Sequence, residues 1–212
     1  LSVDLGSPAE VGGSGPTPVS YWQLDENSGN ETLTDSVGDN DGTPINTLKT
    51  DDETGVFDGA AEFSGGGKSS KEEYIEVDHS DSLKPESGAL TMWFNADQVG
   101  SGSGSGGSDR YTLASSDSSG NDDGGHFGLF IEDGQLRMRM QSDDDQTDIS
   151  GGDVSADEWN QVTVTWGEDG ANVYLNGELV ASDPDWTEGL EGNENPWTFG
   201  ANQWSSSDDT AD

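Results

Sequence analysis

Hydrophobic positions in this chain recur every second residue, in short runs separated by Gly, Asn and Asp clusters. In "WNQVTVTW" (159–166), Val162, Val164 and Trp166 alternate with Gln161, Thr163 and Thr165, the period of a strand with one buried face. "GEDG" then turns the chain into "NVYL", and Asn176-Gly177 turns it again into "ELVAS". This register predicts Val173 opposite Val180 and Tyr174 opposite Leu179. In "HFGLFIEDGQLRMRMQ" (126–141) the dipeptide Asp133-Gly134 favours a two-residue type I′ turn. Counting outward sets Ile131 against Leu136, Leu129 against Met138 and Phe127 against Met140, three apolar pairs on one face. Phe130 against Arg137 and Gly128 against Arg139 occupy the other, and a one-residue slip would scramble both faces. "AEFSG", "EYIEVD" and "ALTMWFNAD" read as further strands. With Gly-rich turns and no helical period, the chain is predicted to be all-β, an antiparallel sandwich or jelly roll. Trp22, Trp93, Trp159, Trp166 and Trp197 are expected in its core.

Composition raises the question of whether such a core suffices. Only 28% of the 212 residues are hydrophobic, and the 44 acidic residues against seven Lys and Arg leave a net charge of −37. Those values resemble a disordered chain, but seven Trp, six Phe and four Tyr sit in periodic segments, which predicts a folded domain with an economical core. Self-repulsion of this size opposes compaction in dilute buffer, whereas molar salt shortens its range to about 3 Å. The acidity reads as adaptation to brine, with a calcium-rich adhesive surface as the alternative. Nucleic acid and anionic membrane are poor partners because both need a positive face. No apolar run approaches the roughly 20 residues that span a bilayer. The absence of cysteine removes thiolate and disulfide chemistry.

Residues 1–18, "LSVDLGSPAEVGGSGPTP", read as a leader or linker, and 19–212 as one sandwich. "VGSGSGSGGSD" (99–109) reads as a low-complexity loop between strands. Asn30 in "NET" is a candidate glycosylation position.

The order of these segments resembles the laminin-G-like, concanavalin-A-like jelly roll. The match begins with "YWQLDENSGNETLTDSVGDNDGTP" (21–44), an aromatic first strand with an Asp/Gly/Asn-rich loop. It continues through "GVFDGAAEFSGGG", "YIEVDHSDSL", "ALTMWFNAD", "DEWNQVTVTWGEDGANVYLNGELVAS" and "NPWTFGANQ". The resemblance implies a domain of extracellular proteins and a further strand returning beside the first. The sequence ends at "SSSDDTAD" instead. Three alternatives stand: the segment is cut short there, "LSVDL" fills the vacancy in cis, or another chain donates a strand in self-assembly.

Candidate chemistry is sparse. There is no nucleophile elbow or phosphate-cradling loop, and His79 and His126 read as loop and strand-edge residues. Glu76 and Asp78 share one strand face, and glycosidases of this architecture carry carboxylates at that spacing. A third at position 80 is replaced by Ser80, so a polysaccharide-cleaving enzyme is the alternative reading. The resemblance implies calcium at rim loops, for which Asp25, Asn40, Asp41, Asp122 and Asp123 are the candidate ligands. For a glycan or protein ligand, Trp186 and Trp204 lie in polar, turn-rich contexts that suit exposed platforms. Arg137 and Arg139 project together and offer a grip on an anionic group, unless they offset neighbouring carboxylates while Arg137 stacks on Phe130. The sequence therefore predicts a non-enzymatic adhesion or recognition domain of a halophilic cell-surface or secreted protein, possible as the outer domain of a filament subunit. In molar salt, far-ultraviolet circular dichroism is expected to give a β spectrum that is lost on dialysis into dilute buffer free of divalent ions. An unchanged spectrum there contradicts the brine reading.

Overall fold

In the computed structural model the chain forms two facing antiparallel sheets. The structure describes residues 2–4, 17–26, 31–46, 55–57, 59–63, 73–100, 110–117, 126–142 and 145–201. The strands are β1 (Ser2–Asp4), β2 (Gly42–Ile45), β3 (Ala61–Glu62), β4 (Tyr74–Val77), β5 (Gly88–Asn95), β6 (Arg110–Ser116) and β7 (His126–Glu132). They continue with β8 (Gln135–Gln141), β9 (Gln146–Asp153), β10 (Trp159–Trp166), β11 (Ala171–Leu175), β12 (Glu178–Asp183) and β13 (Trp197–Phe199). One sheet has the order β12-β11-β10-β5-β1-β3 and the other β2-β4-β13-β6-β7-β8-β9. The only helical element among the described residues is a single 3₁₀ turn, Asp81–Leu83.

The β7/β8 hairpin has the predicted register, residue for residue. Asp133 and Gly134 take φ of 51° and 83°, the positive values that a type I′ turn demands and that Gly accepts without strain. Asn176 and Gly177 repeat this geometry, at 52° and 84°, between β11 and β12. Inward residues of β7 and β8 meet those of β5, β10 and β11, and Phe127, Leu129, Ile131, Met92, Phe94, Val162, Val164 and Val173 are all buried. Phe127 is the aromatic hinge of this core, with its ring centroid 5.0 Å from Trp197 and 5.7 Å from Trp166. Trp22 joins the cluster through Phe199.

Three expectations are corrected. Trp93 and Trp159 are half-buried and stand on the outer face of the six-stranded sheet, because strand parity assigns the inward places to Met92, Phe94, Asn160 and Val162. Val173 pairs with Ala181, not Val180, since the register shifts between Val173 and Tyr174; Tyr174 does face Leu179. The opening residues are not all linker, as Ser2–Asp4 pair with both β5 and β3.

The irregularity in β12 has a structural use. It lays Val180 against β9 of the opposite sheet, where a Cβ on Gly151 would come within 2.2 Å of the Val180 carbonyl oxygen. Nearby, the Thr147 hydroxyl donates to Asp183 Oδ2 at 2.7 Å. An extra residue that bends the strand thus closes one side of the sandwich and covers two sheet edges. Gly151→Ala, which forces side chain against backbone, is expected to cost about 1–3 kcal/mol, read from denaturation midpoints in molar salt.

Candidate functional site

The loop between Leu33 and Gly42 is built around one buried carboxylate. Leu33 and Gly42 bridge its two ends, and Trp22 bridges Asp35. Asp35 Oδ1 accepts from the backbone N–H groups of Tyr21, Val37 and Gly38 at 2.9, 3.1 and 3.0 Å, and Oδ2 accepts from Asn40 at 3.1 Å. The loop residues Gly, Asn and Asp suit such a coil, because short polar side chains bond local backbone without blocking it. Only Gly fits at position 38, where a Cβ would lie 2.6 Å from the Val19 carbonyl oxygen. Burial alone would raise the pKa of Asp35, but the converging N–H donors outweigh it and hold the group at about 2.

Asp41 Oδ1 accepts from the Asp35 N–H at 2.9 Å, and the Asn40 carbonyl accepts from the Trp22 indole at 2.7 Å. Asn40 Nδ2 donates to Ser20 and Ser82 at 2.7 and 3.1 Å. Ser82 meets Ser80 Oγ at 2.8 Å. This ties the loop to the 3₁₀ turn that follows β4. Between them opens a rim cleft of about 530 Å³, lined by Val19, Gly38, Asp39, Asn40, Asp41, Thr43, Asp78, His79, Ser80 and Ser82. Its walls offer hydroxyls, an amide, carboxylates and an imidazole, a set suited to hydrogen-bonding a polyhydroxylated ligand.

The structure gathers Asn40, Asp41 and Asp78 at this cleft and separates the other candidates. Glu76 sits within the seven-stranded sheet, between Thr43 and Thr198, whereas Asp78 is exposed beyond the end of its strand. Asp25 is exposed and not among the cleft residues. Among the described residues no three acidic, His or Cys side chains form a group able to hold a metal ion. Asp122 and Asp123 lie outside those residues, as do Asn30 and Trp204.

Trp186 is corrected outright. At 3% exposure it belongs to the core. Its segment packs onto the chain that enters β5: the Leu190 N–H donates to the Pro85 carbonyl at 3.0 Å, and Gly189 abuts the backbone of Glu86. That contact folds Trp186 and Leu190 inward despite their polar neighbours.

Arg137 is held by the protein's own carboxylates. Its guanidinium forks onto Asp148, with Nε 2.6 Å from Oδ1, and Nη1 reaches Glu132. The hydrogen bonds it donates to Asp148 push its pKa above the ordinary arginine range. Stacking on Phe130 falls instead to Arg110, 4.7 Å from the ring centroid. The Phe130 ring lies back over Gly128, where a Cβ would come within 2.3 Å of Cζ. Arg139 Nη2 donates to Gln141 at 3.0 Å. Sequence reasoning missed its neighbours: His126 Nδ1 bonds the Asp117 carboxylate, while Nε2 is buried with no hydrogen-bond partner among the described residues. Burial raises the Asp117 pKa, against the lowering influence of His126 and Arg139.

A family profile described as the concanavalin A-like lectin/glucanases superfamily, of laminin-G type, matches residues 68–212. No curated protein matches in sequence. Among solved structures, domain 4 of AbnA, an extracellular arabinanase of Geobacillus stearothermophilus solved with arabinotriose, superposes with a TM-score of 0.63. Its identity is 15%, over 91% of this chain and 87% of that one. The receptor-binding domain of botulinum neurotoxin D gives 0.55 at 18% identity, over 79% and 41%. Domains LG4-5 of the mouse laminin α1 chain give 0.50 at 13%, over 70% and 37%. This chain therefore spans less than half of the neurotoxin and laminin structures, and at these identities the likeness is one of fold.

The Asp35 hub yields a pH prediction. Its pKa is depressed from an ordinary 3.8 to about 2, so its contribution is full above 3.8 and is lost as pH falls towards 2. Asp35→Asn is expected to lower stability near neutrality by about 2 kcal/mol. The gap from wild type should close between about pH 4 and 2, as measured by denaturation at each pH in molar salt.

Proposed function

The chain belongs to the concanavalin A-like lectin/glucanase superfamily, and we propose that it serves as a non-enzymatic recognition domain for a glycan, working outside the cell or at its surface in brine. The observation that carries this reading is the rim cleft. Its walls are fixed before any ligand arrives, by the four N–H groups on Asp35 and the Asn40–Ser82 tie. Preorganised polar walls spare a ligand the cost of ordering them. Exposed Asp39, Asp78 and His79 leave side chains to meet sugar hydroxyls. The glycan-bound state of the arabinanase domain and the receptor-binding role of the neurotoxin domain support a binding role on this fold, although fold alone assigns no ligand. A protein ligand at the same rim is the nearest variant of this reading.

A hydrolase using Glu76 and Asp78 is the second reading, favoured by one fact: Asp78 lines the cleft. The two readings separate in one set of measurements. Titration calorimetry against neutral oligosaccharides in molar salt is expected to show saturable heat without release of reducing ends. The double variant Asp39→Ala/His79→Ala should weaken that binding roughly tenfold, about 1.4 kcal/mol. Reducing ends that appear with wild type and vanish with Glu76→Gln would instead establish the enzyme.

A further inference from the structure

The outer face of the six-stranded sheet departs from the rest of this acidic surface. β5 presents Ala89, Thr91, Trp93 and Asn95 outward, and β10 presents Trp159, Gln161, Thr163 and Thr165. β11 adds Asn172 and Tyr174, opposite Thr165 and Thr163. None of these positions carries a formal charge, in a chain with 44 Asp and Glu. Three aromatic side chains gather at one end. The Phe57 ring, 46% exposed, packs edge-on against Trp93 with centroids 6.3 Å apart. Trp159 lies diagonally across the strand pair from Trp93, within about 8 Å by strand geometry. Tyr174 stands two strands away from β5, roughly 12 Å from Trp93 by strand spacing and rise, and Leu179 beside it is 55% exposed. The opposite sheet behaves differently, since there Glu132, Arg137 and Asp148 pair among themselves.

We propose that this face is a second binding surface, distinct from the rim cleft, and that its occupant is a neutral polysaccharide. Sugar rings combine an apolar C–H face with a fringe of hydroxyls. Here aromatic rings supply the apolar surface, and Thr91, Thr163, Gln161 and Asn172 supply hydrogen-bonding groups at strand spacing. Charge complementarity narrows the choice. A cationic partner finds no carboxylate on the outward positions of β5, β10 and β11, Glu62 standing outward on the edge strand β3. An anionic polymer is repelled by the surrounding surface, and a second copy of the chain brings another 37 negative charges. An uncharged polymer meets none of these penalties, and its binding is indifferent to the salt that screens ionic contacts.

The test is co-sedimentation of the protein with microcrystalline cellulose, chitin and curdlan in molar salt, with dichroism confirming the fold of each variant. Wild type is expected to pellet with at least one of them, to the same extent as salt is raised. Phe57→Ala and Thr91→Glu should each weaken that association roughly tenfold. Phe57→Ala removes an exposed ring and stands as the measure if Thr91→Glu perturbs the sheet. The rim variant Asp39→Ala/His79→Ala should still pellet, so that failure of the cleft reading and failure of this one are distinguishable. Absence of wild-type binding to all three polymers, or unchanged binding by both face variants, overturns the proposal. So does a wild-type dimer in sedimentation velocity that Thr91→Glu dissolves, which would assign the face to a second copy.

Discussion

The alternation of strand side chains governs this molecule, because its supply of apolar residues is so small. With 28% hydrophobic residues, two sheets can enclose a dry interior only if nearly every large apolar side chain falls on an inward position. β7, β8 and β10 achieve this with Phe127, Leu129, Ile131, Leu136, Met138, Met140, Val162, Val164 and Trp166, all buried. Where parity would waste a residue, the backbone adjusts: β12 carries one residue too many, and the surplus at Val180 becomes the contact that closes the sandwich. The outward tryptophans, Trp93 and Trp159, are among the large apolar groups that parity leaves outside, which is why they invite a functional reading.

Electrostatics works within that frame. Many of the described carboxylates are exposed, but others are used structurally, as two settings illustrate. Asp35 replaces a length of regular secondary structure by collecting four backbone donors into one buried acceptor. Glu132 and Asp148 hold Arg137 flat against the outer face of the seven-stranded sheet. With so few basic residues in the chain, the pairing of Arg137 and Arg110 with Glu132 commits both to the scaffold.

What the sequence revealed follows the range of the interactions involved. The β7/β8 register was legible because the Asp133-Gly134 turn and the alternation specify the same pairing within sixteen residues. Asn40 and Asp41 were singled out as calcium ligands through the resemblance, which implies metal at rim loops, and the structure places both at the cleft. Trp186 misled because its surroundings are polar in sequence, while its segment is held by contacts of Leu190 with Pro85 and of Gly189 with Glu86, far away along the chain. Phe130 was assigned the wrong cation for a similar reason: Arg137, directly opposite, is drawn to carboxylates, and Arg110 arrives from another strand. The hub role of Asp35 was invisible because it needs Tyr21 and Asn40 brought together in space.

β13 has a consequence for how the molecule comes into being. Trp197–Phe199 lie between β4 and β6, strands laid down more than eighty residues earlier. Without those residues, β4 and β6 would be left a strand's width apart, each with unpaired hydrogen-bonding groups. The larger sheet therefore cannot be completed strand by strand in chain order. Its assembly waits on a stretch distant in sequence from both neighbours, and a form lacking that stretch would be a split sheet rather than a smaller version of the whole.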